Sequence, residues 1–280
     1  GATLADLDDD AISVMREKYA KKQNNPLFRA LSKEQVLSDL KLIVEGRVTY
    51  GAVILVGKAD LLRRCLPQAE VMIEYRNSES MIPFDNRTEY HKPYFLMADE
   101  LWHDINLRNG SFPVNEGSYI FNVPYFNEDV VREAINNAIA HRDYRRQSET
   151  VVKLYPQSMT IINAGGLPQG VTIANLLRVP STPRNRLLAD VLSKTGVVER
   201  SGQGVDKIYY NMLAEGKSAP DYSHTDDFHV ELTLSSVMRD RGFAMFIDSV
   251  QKGLSDLEKM SVHEVLTLAK IREGESASSL

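Results

Sequence analysis

The chain has 280 residues, 43% hydrophobic and 25% charged, which is the balance of a soluble globular protein of one large or two ordinary domains. Its formal net charge of -5 excludes a global basic field for nucleic acid, and its single cysteine, Cys65, excludes a disulfide framework and a cysteine-rich zinc site. The single cysteine is typical of a reducing compartment, so we expect a cytoplasmic protein. The longest apolar run, residues 52–56, is far shorter than the roughly 20 residues that span a bilayer, so no membrane partner is expected.

The first half of the chain predicts helices with strands between them. Ser32 and Gln35 have the spacing of a capping box at a helix start. The apolar run at residues 52–56 fits a buried strand or a short helix equally well, whereas residues 69–75 predict a strand. Pro93 stands near the first turn of a further helix. This half is predicted to be a small α/β lead-in.

The second half predicts a helix, a hairpin and a final strand, with glycine-rich turns between them. Asn127 can cap a helix whose first turn holds Glu128 and Asp129, where the helix dipole favours negative charge. Strands are predicted at residues 150–155, 159–163 and 228–234, and helices from 172, over 186–195, from 204 to 213 and beyond 237. Gly196 ends the second of these helices.

An acid, an amide and an imidazole recur at every fourth position of the helix that Asn127 caps. Because four residues advance a helix by about 40° beyond one full turn, Glu133, Asn137 and His141 form one slanting stripe. The neighbouring arc of the helix is apolar and predicts packing against a sheet. The stripe is therefore predicted at the edge of the core, where a carboxylate beside an amide suits metal-assisted chemistry.

These motifs together resemble the GHKL ATPase family, which includes gyrase B, MutL, the heat-shock chaperone and sensor histidine kinases. The matching residues are Glu133, Asn137, Ala138, His141, Arg142, Asp143 and Tyr144, then Asn163, Gly165, Gly166, Leu167, Pro168 and Gly170, then Pro183, Arg184 and Asn185, and then Glu199, Arg200, Gly202 and Gly204. The resemblance is to the divergent branch in bacterial transcriptional regulators related to the RecG helicase, and it covers residues 125–235. It implies an α/β fold, a two-layer sandwich of a mixed sheet with helices on one face.

The resemblance implies a role for each matched position of the helix and the first glycine turn. Asn137 would ligate Mg²⁺ through its amide oxygen, and Glu133 would orient or deprotonate the attacking water. Asn163 would contact the adenine amino group, at a position where most members of the family have Asp. Gly165, with Gly166 in the same turn, would let the backbone approach the base.

The second glycine loop and an arginine are implied to bind phosphate. Gly202 and Gly204 would free the loop to point backbone N–H groups at phosphate, together with the start of the following helix. Arg184 would clamp phosphate with its planar guanidinium. For His141 two interpretations stay open, a catalytic contact to the phosphates or a cap at the end of its helix.

The sequence therefore predicts an ATP- and Mg²⁺-binding regulatory module of a transcriptional regulator or DNA-associated protein, with at most slow ATP hydrolysis and with self-association into a homo-oligomer. The predicted segments are an α/β lead-in (linker) domain at 1–120, the GHKL-like nucleotide-binding domain at 121–236 and a helical tail at 237–280. Because the chain starts at Gly1 rather than Met, we expect that an upstream part is missing. The region before Tyr125 resembles the linker domain of such regulators, which implies that the missing part is a Schlafen-like (AlbA-type) DNA-binding domain.

Two other interpretations belong to different functional classes. In the first, a degenerate sandwich binds no nucleotide and serves as a dimerisation or scaffold module. In the second, the fragment binds DNA directly through Arg142, Arg145 and Arg146, although a short charge cluster is more often a solvated face. The other five histidines show no metal-ligand spacing on one helix, so no zinc site is predicted.

Overall fold

The computed structural model describes residues 1–78, 84–116, 119–198, 204–252, 254, 259–272 and 274. Up to residue 124 the elements are α1 Asp9–Lys22, α2 Lys33–Asp39, β1 Ile43–Val44, β2 Arg47–Val48, α3 Tyr50–Val56, α4 Ala59–Cys65, β3 Val71–Tyr75, β4 Asn86–Tyr90, α5 Tyr94–Asn106, β5 Ser111–Glu116 and β6 Tyr119–Pro124. The remaining elements are α6 Glu128–His141, β7 Thr150–Leu154, β8 Ser158–Ala164, α7 Arg186–Lys194, α8 Gly204–Ala214, β9 His229–Ser235, α9 Arg241–Gln251 and α10 Val262–Arg272.

The largest sheet has five strands in the order β4-β3-β7-β8-β9. All neighbours in it are antiparallel except β3 and β7, which are parallel, so the sheet is mixed as predicted. Strands β3 and β4, which the sequence predicts to lie in the lead-in, pair into the same sheet as β7, β8 and β9. The boundary at residue 120 stays a prediction.

Helices cover one face of this sheet, and the burial of alternate residues shows which face it is. Val152, Ile161 and Leu232 lie side by side on β7, β8 and β9, and all three are buried. Their neighbours Lys153 and Thr233 point to the opposite face and are half-buried. The predicted two-layer sandwich with a mixed sheet is confirmed, and α6 packs directly on β8 in the covered layer.

Several helix boundaries follow from the predicted capping residues. The Ser32 side chain accepts a hydrogen bond from the Gln35 backbone N–H, and the Gln35 side chain accepts one from the Ser32 backbone N–H, which confirms the capping box. The apolar run at 52–56 forms helix α3 rather than a strand, capped by Thr49. Gly196 has a φ of +70° directly after α7, the left-handed conformation that glycine adopts most readily.

The helix predicted from residue 172 is wrong. The structure has only a single turn of 3₁₀ helix there, Ile173–Asn175, followed by irregular chain. Pro180 and Pro183 prevent a helix from continuing toward α7, because proline lacks a backbone N–H and disfavours helical geometry in the residue before it. This irregular stretch forms one wall of the cavity described below.

Candidate functional site

The helix α6 presents the predicted stripe to the interior of the protein. Asn127 caps it as predicted, since its side-chain oxygen accepts from the backbone N–H groups of Asp129 and Val130. The carboxylate-bearing residue Glu133 is only 3% exposed, although it lies on the polar stripe. An acid held this far from solvent inside a well-capped helix is a candidate for function.

The two adjacent asparagines of α6 face different surroundings. Asn136 accepts a hydrogen bond from the Tyr94 hydroxyl, and its Nδ2 donates to the carbonyl of Val197 at 2.8 Å. Asn137 lines a cavity instead, and its Nδ2 is buried without a hydrogen-bond partner in the described part of the chain. Asn136 therefore serves packing, whereas the Asn137 amide is available to a ligand.

A cavity of about 500 Å³ lies between α6, the sheet, the first glycine turn and the start of α8. A volume of this size is typical of small-molecule and cofactor sites. Among the described residues the lining comprises Glu133, Ala134, Asn137, Ala138, Ala140, His141, Ile161, Asn163, Gly166, Leu167, Pro168, Val171, Leu176, Val179, Pro180, Ser181, Thr182, Pro183, Ala189, Ser193, Val198, Gly204, Val205, Tyr222, Val230 and Leu232. This set contains neither Lys nor Arg, and Glu133 is its one carboxylate.

The sheet contributes a second asparagine side chain to the cavity. Asn163 lies near the end of β8, pairs with Val230 of β9, and is 4% exposed. Its Nδ2 also has no hydrogen-bond partner within the described residues. A buried amide group without a partner costs free energy, so two such groups facing one cavity indicate a polar ligand.

The second glycine loop meets the stripe where α8 begins. A Cβ atom on Gly204 would overlap Glu133 Oε1, and it would lie 2.9 Å from Glu133 Cδ and 3.2 Å from Asn137 Nδ2. Only glycine therefore lets the start of α8 approach the acid and the amide this closely. The start of an 11-residue helix also directs the positive end of its dipole at the cavity. Gly202 lies outside the described residues.

The first glycine turn is held by Arg184, which does not line the cavity. The Arg184 guanidinium donates to the carbonyls of His141 at 3.1 Å and Gly166 at 2.8 Å, so it ties the end of α6 to the turn. Gly165 has a φ of +88°, and a Cβ there would lie 2.8 Å from the Asp143 Cβ. The backbone conformation at residue 165 and the close approach of Asp143 thus require a glycine there. Gly166 is the glycine of the pair that lines the cavity.

His141 is the last residue of α6, and its half-buried side chain lines the cavity. Burial lowers the pKa of its imidazole below the ordinary value of 6.5, and the positive charge of Arg184 lowers it further. The ring is therefore neutral at pH 7 and offers one donor and one acceptor rather than a charge. This electrostatic environment weakens the idea of a cationic phosphate contact.

Of the three arginines proposed to bind DNA, Arg142 is withdrawn from the surface. Arg142 is fully buried, where its guanidinium donates to the carbonyls of Gln68 and Ser148 and lies over the Tyr144 ring. The Arg145 side chain is exposed, but it makes two hydrogen bonds to the Asp143 carboxylate. A DNA contact through Arg142 is excluded, because a guanidinium bonded inside the core cannot reach a phosphate.

Tyr222 is a cavity residue that sequence reasoning missed. It lies in the loop between α8 and β9, is buried, and lines the cavity together with Glu133. Burial raises the pKa of its hydroxyl, and the charges of Tyr209 and Glu133 raise it further, so the group stays protonated. No motif of the resemblance falls on this loop, and its length and turns gave no signal of where Tyr222 would point.

One group of potential metal ligands lies elsewhere in the described residues. Glu70, Glu89 and His91 bring ligand atoms within 4.8 Å of one another. The antiparallel register of β3 with β4 explains this, since it places Glu70 next to His91 across the strands. Spacing on a single helix could not have revealed a group assembled from two strands. The group does not line the cavity.

Together the mixed sheet, the acid–amide helix and the glycine turn define an ATPase-like α/β sandwich. Residues 147–234 match the family described as "Putative ATP-dependent DNA helicase recG C-terminal". This match is consistent with a divergent RecG-related ATPase domain in this part of the chain, as the resemblance predicts. The match begins after α6, so it does not itself cover Glu133 or Asn137. Residues 1–72 match a domain of unknown function, DUF8451.

A solved structure supports the same fold over most of the chain. The crystal structure of the DIP2311 protein from Corynebacterium diphtheriae is 25% identical in sequence, with a TM-score of 0.76, over 90% of this chain and 49% of that one. The present chain thus spans about half the length of that protein. Comparison with curated proteins gives no match. None of the described helices is both long and apolar enough to cross a membrane.

Proposed function

We propose that this chain is an ATP- and Mg²⁺-binding regulatory module of a DNA-associated protein or transcriptional regulator. The observation that carries the proposal is the convergence of Glu133, Asn137, Asn163 and Gly204 on one cavity of about 500 Å³. These residues belong to a helix, a strand and the start of a second helix. The family match and the order of the motifs support a nucleotide as the ligand.

In this proposal different residues contact the base, the phosphates and the attacking water. Asn163, surrounded by Ile161, Val230 and Leu232 on the sheet, contacts the base, because apolar walls with one buried polar group suit a flat heterocycle. The backbone at the start of α8 contacts the phosphates, because free N–H groups and the helix dipole favour an anion there. Glu133 accepts a proton from an attacking water if turnover occurs.

The described residues around the cavity favour a divalent cation as a companion of a bound triphosphate. Glu133 is the one carboxylate among the described lining residues, and no Lys or Arg of the described part of the chain lines the cavity, so these residues supply no positive charge opposite the phosphates. The amide oxygen of Asn137 is the kind of oxygen ligand that Mg²⁺ prefers, and the Glu133 carboxyl group one turn away favours a cation nearby, so the site fits the ion. Bound Mg²⁺ would neutralise phosphate charge and polarise the terminal phosphate.

The two neighbouring asparagines provide a matched test. Asn137→Ala should weaken Mg²⁺-dependent ATP binding at least tenfold in isothermal titration while leaving stability nearly unchanged, because its Nδ2 has no hydrogen-bond partner to lose among the described residues. Asn136→Ala should do the reverse. It should keep the affinity but lower the free energy of unfolding by about 1–3 kcal/mol, because the Val197 carbonyl and the Tyr94 hydroxyl lose their partner.

The same titration decides between binding and the scaffold interpretation. Wild-type protein that binds neither ATP nor its slowly hydrolysed analogue at millimolar concentration, with or without Mg²⁺, would overturn the proposal in favour of a non-binding sandwich. If ATP binds, we further expect Glu133→Gln to keep binding and to abolish any phosphate release. Self-association of the chain, which the resemblance implies for this class, is tested in the same samples by sedimentation with and without nucleotide.

A further inference from the structure

The proposed nucleotide site, on which this inference rests, would select its base at the sheet side of the cavity. On the sheet side of the cavity, the described lining residues are Ile161, Asn163, Val230 and Leu232. Asn163 is the polar one among them. Asn163 is only 4% exposed, and its Nδ2 has no hydrogen-bond partner among the described residues. The hydrogen-bonding edge of a base bound against this wall therefore meets an amide side chain.

An amide carries a donor at one end and an acceptor at the other. A 180° rotation of the terminal torsion exchanges the two ends, and Nδ2 makes no hydrogen bond to a described residue that would fix the orientation of Asn163. A carboxylate at this position would behave differently, because at neutral pH both of its oxygens only accept. Asn163 can therefore match two opposite hydrogen-bond patterns.

Purines present these two patterns at the 6-position. Adenine offers a donor at its 6-amino group and an acceptor at N1, whereas a 6-oxopurine offers an acceptor at O6 and a donor at N1. In one orientation Asn163 accepts from the 6-amino group and donates to N1. In the other it donates to O6 and accepts from N1–H. We propose that this site binds 6-oxopurine nucleotides as well as ATP, with little discrimination between them.

The test compares ATP, ITP, GTP and CTP in Mg²⁺-containing titrations of the full chain. ITP differs from ATP in having the 6-oxo pattern at the same ring size, and GTP adds a 2-amino group, so the pair separates hydrogen bonding from steric fit. We expect wild-type affinities for ATP and ITP within about fivefold, and weaker binding of CTP. Asn163→Asp should shift the ATP-to-ITP ratio toward ATP by at least about tenfold, because O6 would then face an acceptor.

Asn163→Ala is the second variant, and it keeps the test decisive if Asn163→Asp does not fold. It should weaken ATP and ITP by similar factors, because both lose the same amide. A wild-type preference for ATP over ITP above about thirtyfold, or an unchanged ratio in Asn163→Asp, would overturn this inference while leaving the ATP site intact. Binding of none of the four nucleotides would overturn the proposed function and this inference together.

Discussion

Gly204 provides the most demanding test of the site geometry, because its lack of a side chain is what allows α8 to start against the stripe. An alanine Cβ at this position would overlap Glu133 Oε1 and lie 2.9 Å from Glu133 Cδ. Glu133 is 3% exposed, so it cannot simply rotate into solvent. Either the acid must leave its position or the start of α8 must move away. Overpacking of this kind costs about 1–3 kcal/mol of unfolding free energy.

Gly204→Ala should therefore lower the unfolding free energy measured in urea by that amount and weaken Mg²⁺-dependent ATP binding at least tenfold. The matched control is Gly242→Ala near the start of α9, where the nearest atom to the new Cβ is Arg272 Nη2 at 3.0 Å. That guanidinium is on an exposed, flexible side chain, so we expect a change within about 0.5 kcal/mol and unaltered affinity. A Gly204→Ala protein with wild-type stability, and with an ATP affinity within twofold of wild type, would refute this reasoning.

Two further predictions concern the end of α6. The pKa of the His141 imidazole, measured by NMR, should lie below 6.5. The free energy of unfolding should therefore fall as the pH drops below 6.5, because the unfolded chain takes up a proton that the folded protein does not. His141→Gln should remove this part of the pH dependence, and a His141 pKa above 6.5 would contradict the prediction. Arg142→Met should cost about 3 kcal/mol in urea denaturation, because the buried carbonyls of Gln68 and Ser148 lose a charged donor, whereas the exposed Arg145→Ala should change stability by less than about 1 kcal/mol. Equal effects of the two arginine substitutions would argue against the structural role of Arg142.

The sequence predicted the elements whose signals are local. The Asn127 cap, the Ser32–Gln35 capping box and the hairpin of β7 and β8 all depend on residues close together in the chain, and the structure confirms them. The stripe could also be predicted, since helical periodicity alone places Glu133 and Asn137 on one side. In the structure both residues line one cavity with Asn163 and Gly204. The order of the motifs along the chain predicted that these four residues belong to one site.

The features that were missed depend on contacts between distant segments. Whether Arg184 contacts a ligand or holds the turn is decided by the carbonyls of His141 and Gly166, which lie 43 and 18 positions away in the chain. Arg142 belongs to a charge cluster in the sequence, yet the fold buries it beside Gln68, 74 positions earlier. Tyr222 reaches the cavity from a loop without a motif. In each case the tertiary packing, and not the local pattern, determines the role.

The most direct measurement is a crystal structure of the chain with Mg²⁺ and a slowly hydrolysed ATP analogue. The account predicts the base against Asn163 and Val230, the phosphates at the start of α8 beside Gly204, and the cation on the Asn137 side-chain oxygen. A nucleotide bound away from this cavity, or a cavity that stays free of ligand at saturating analogue, would contradict it.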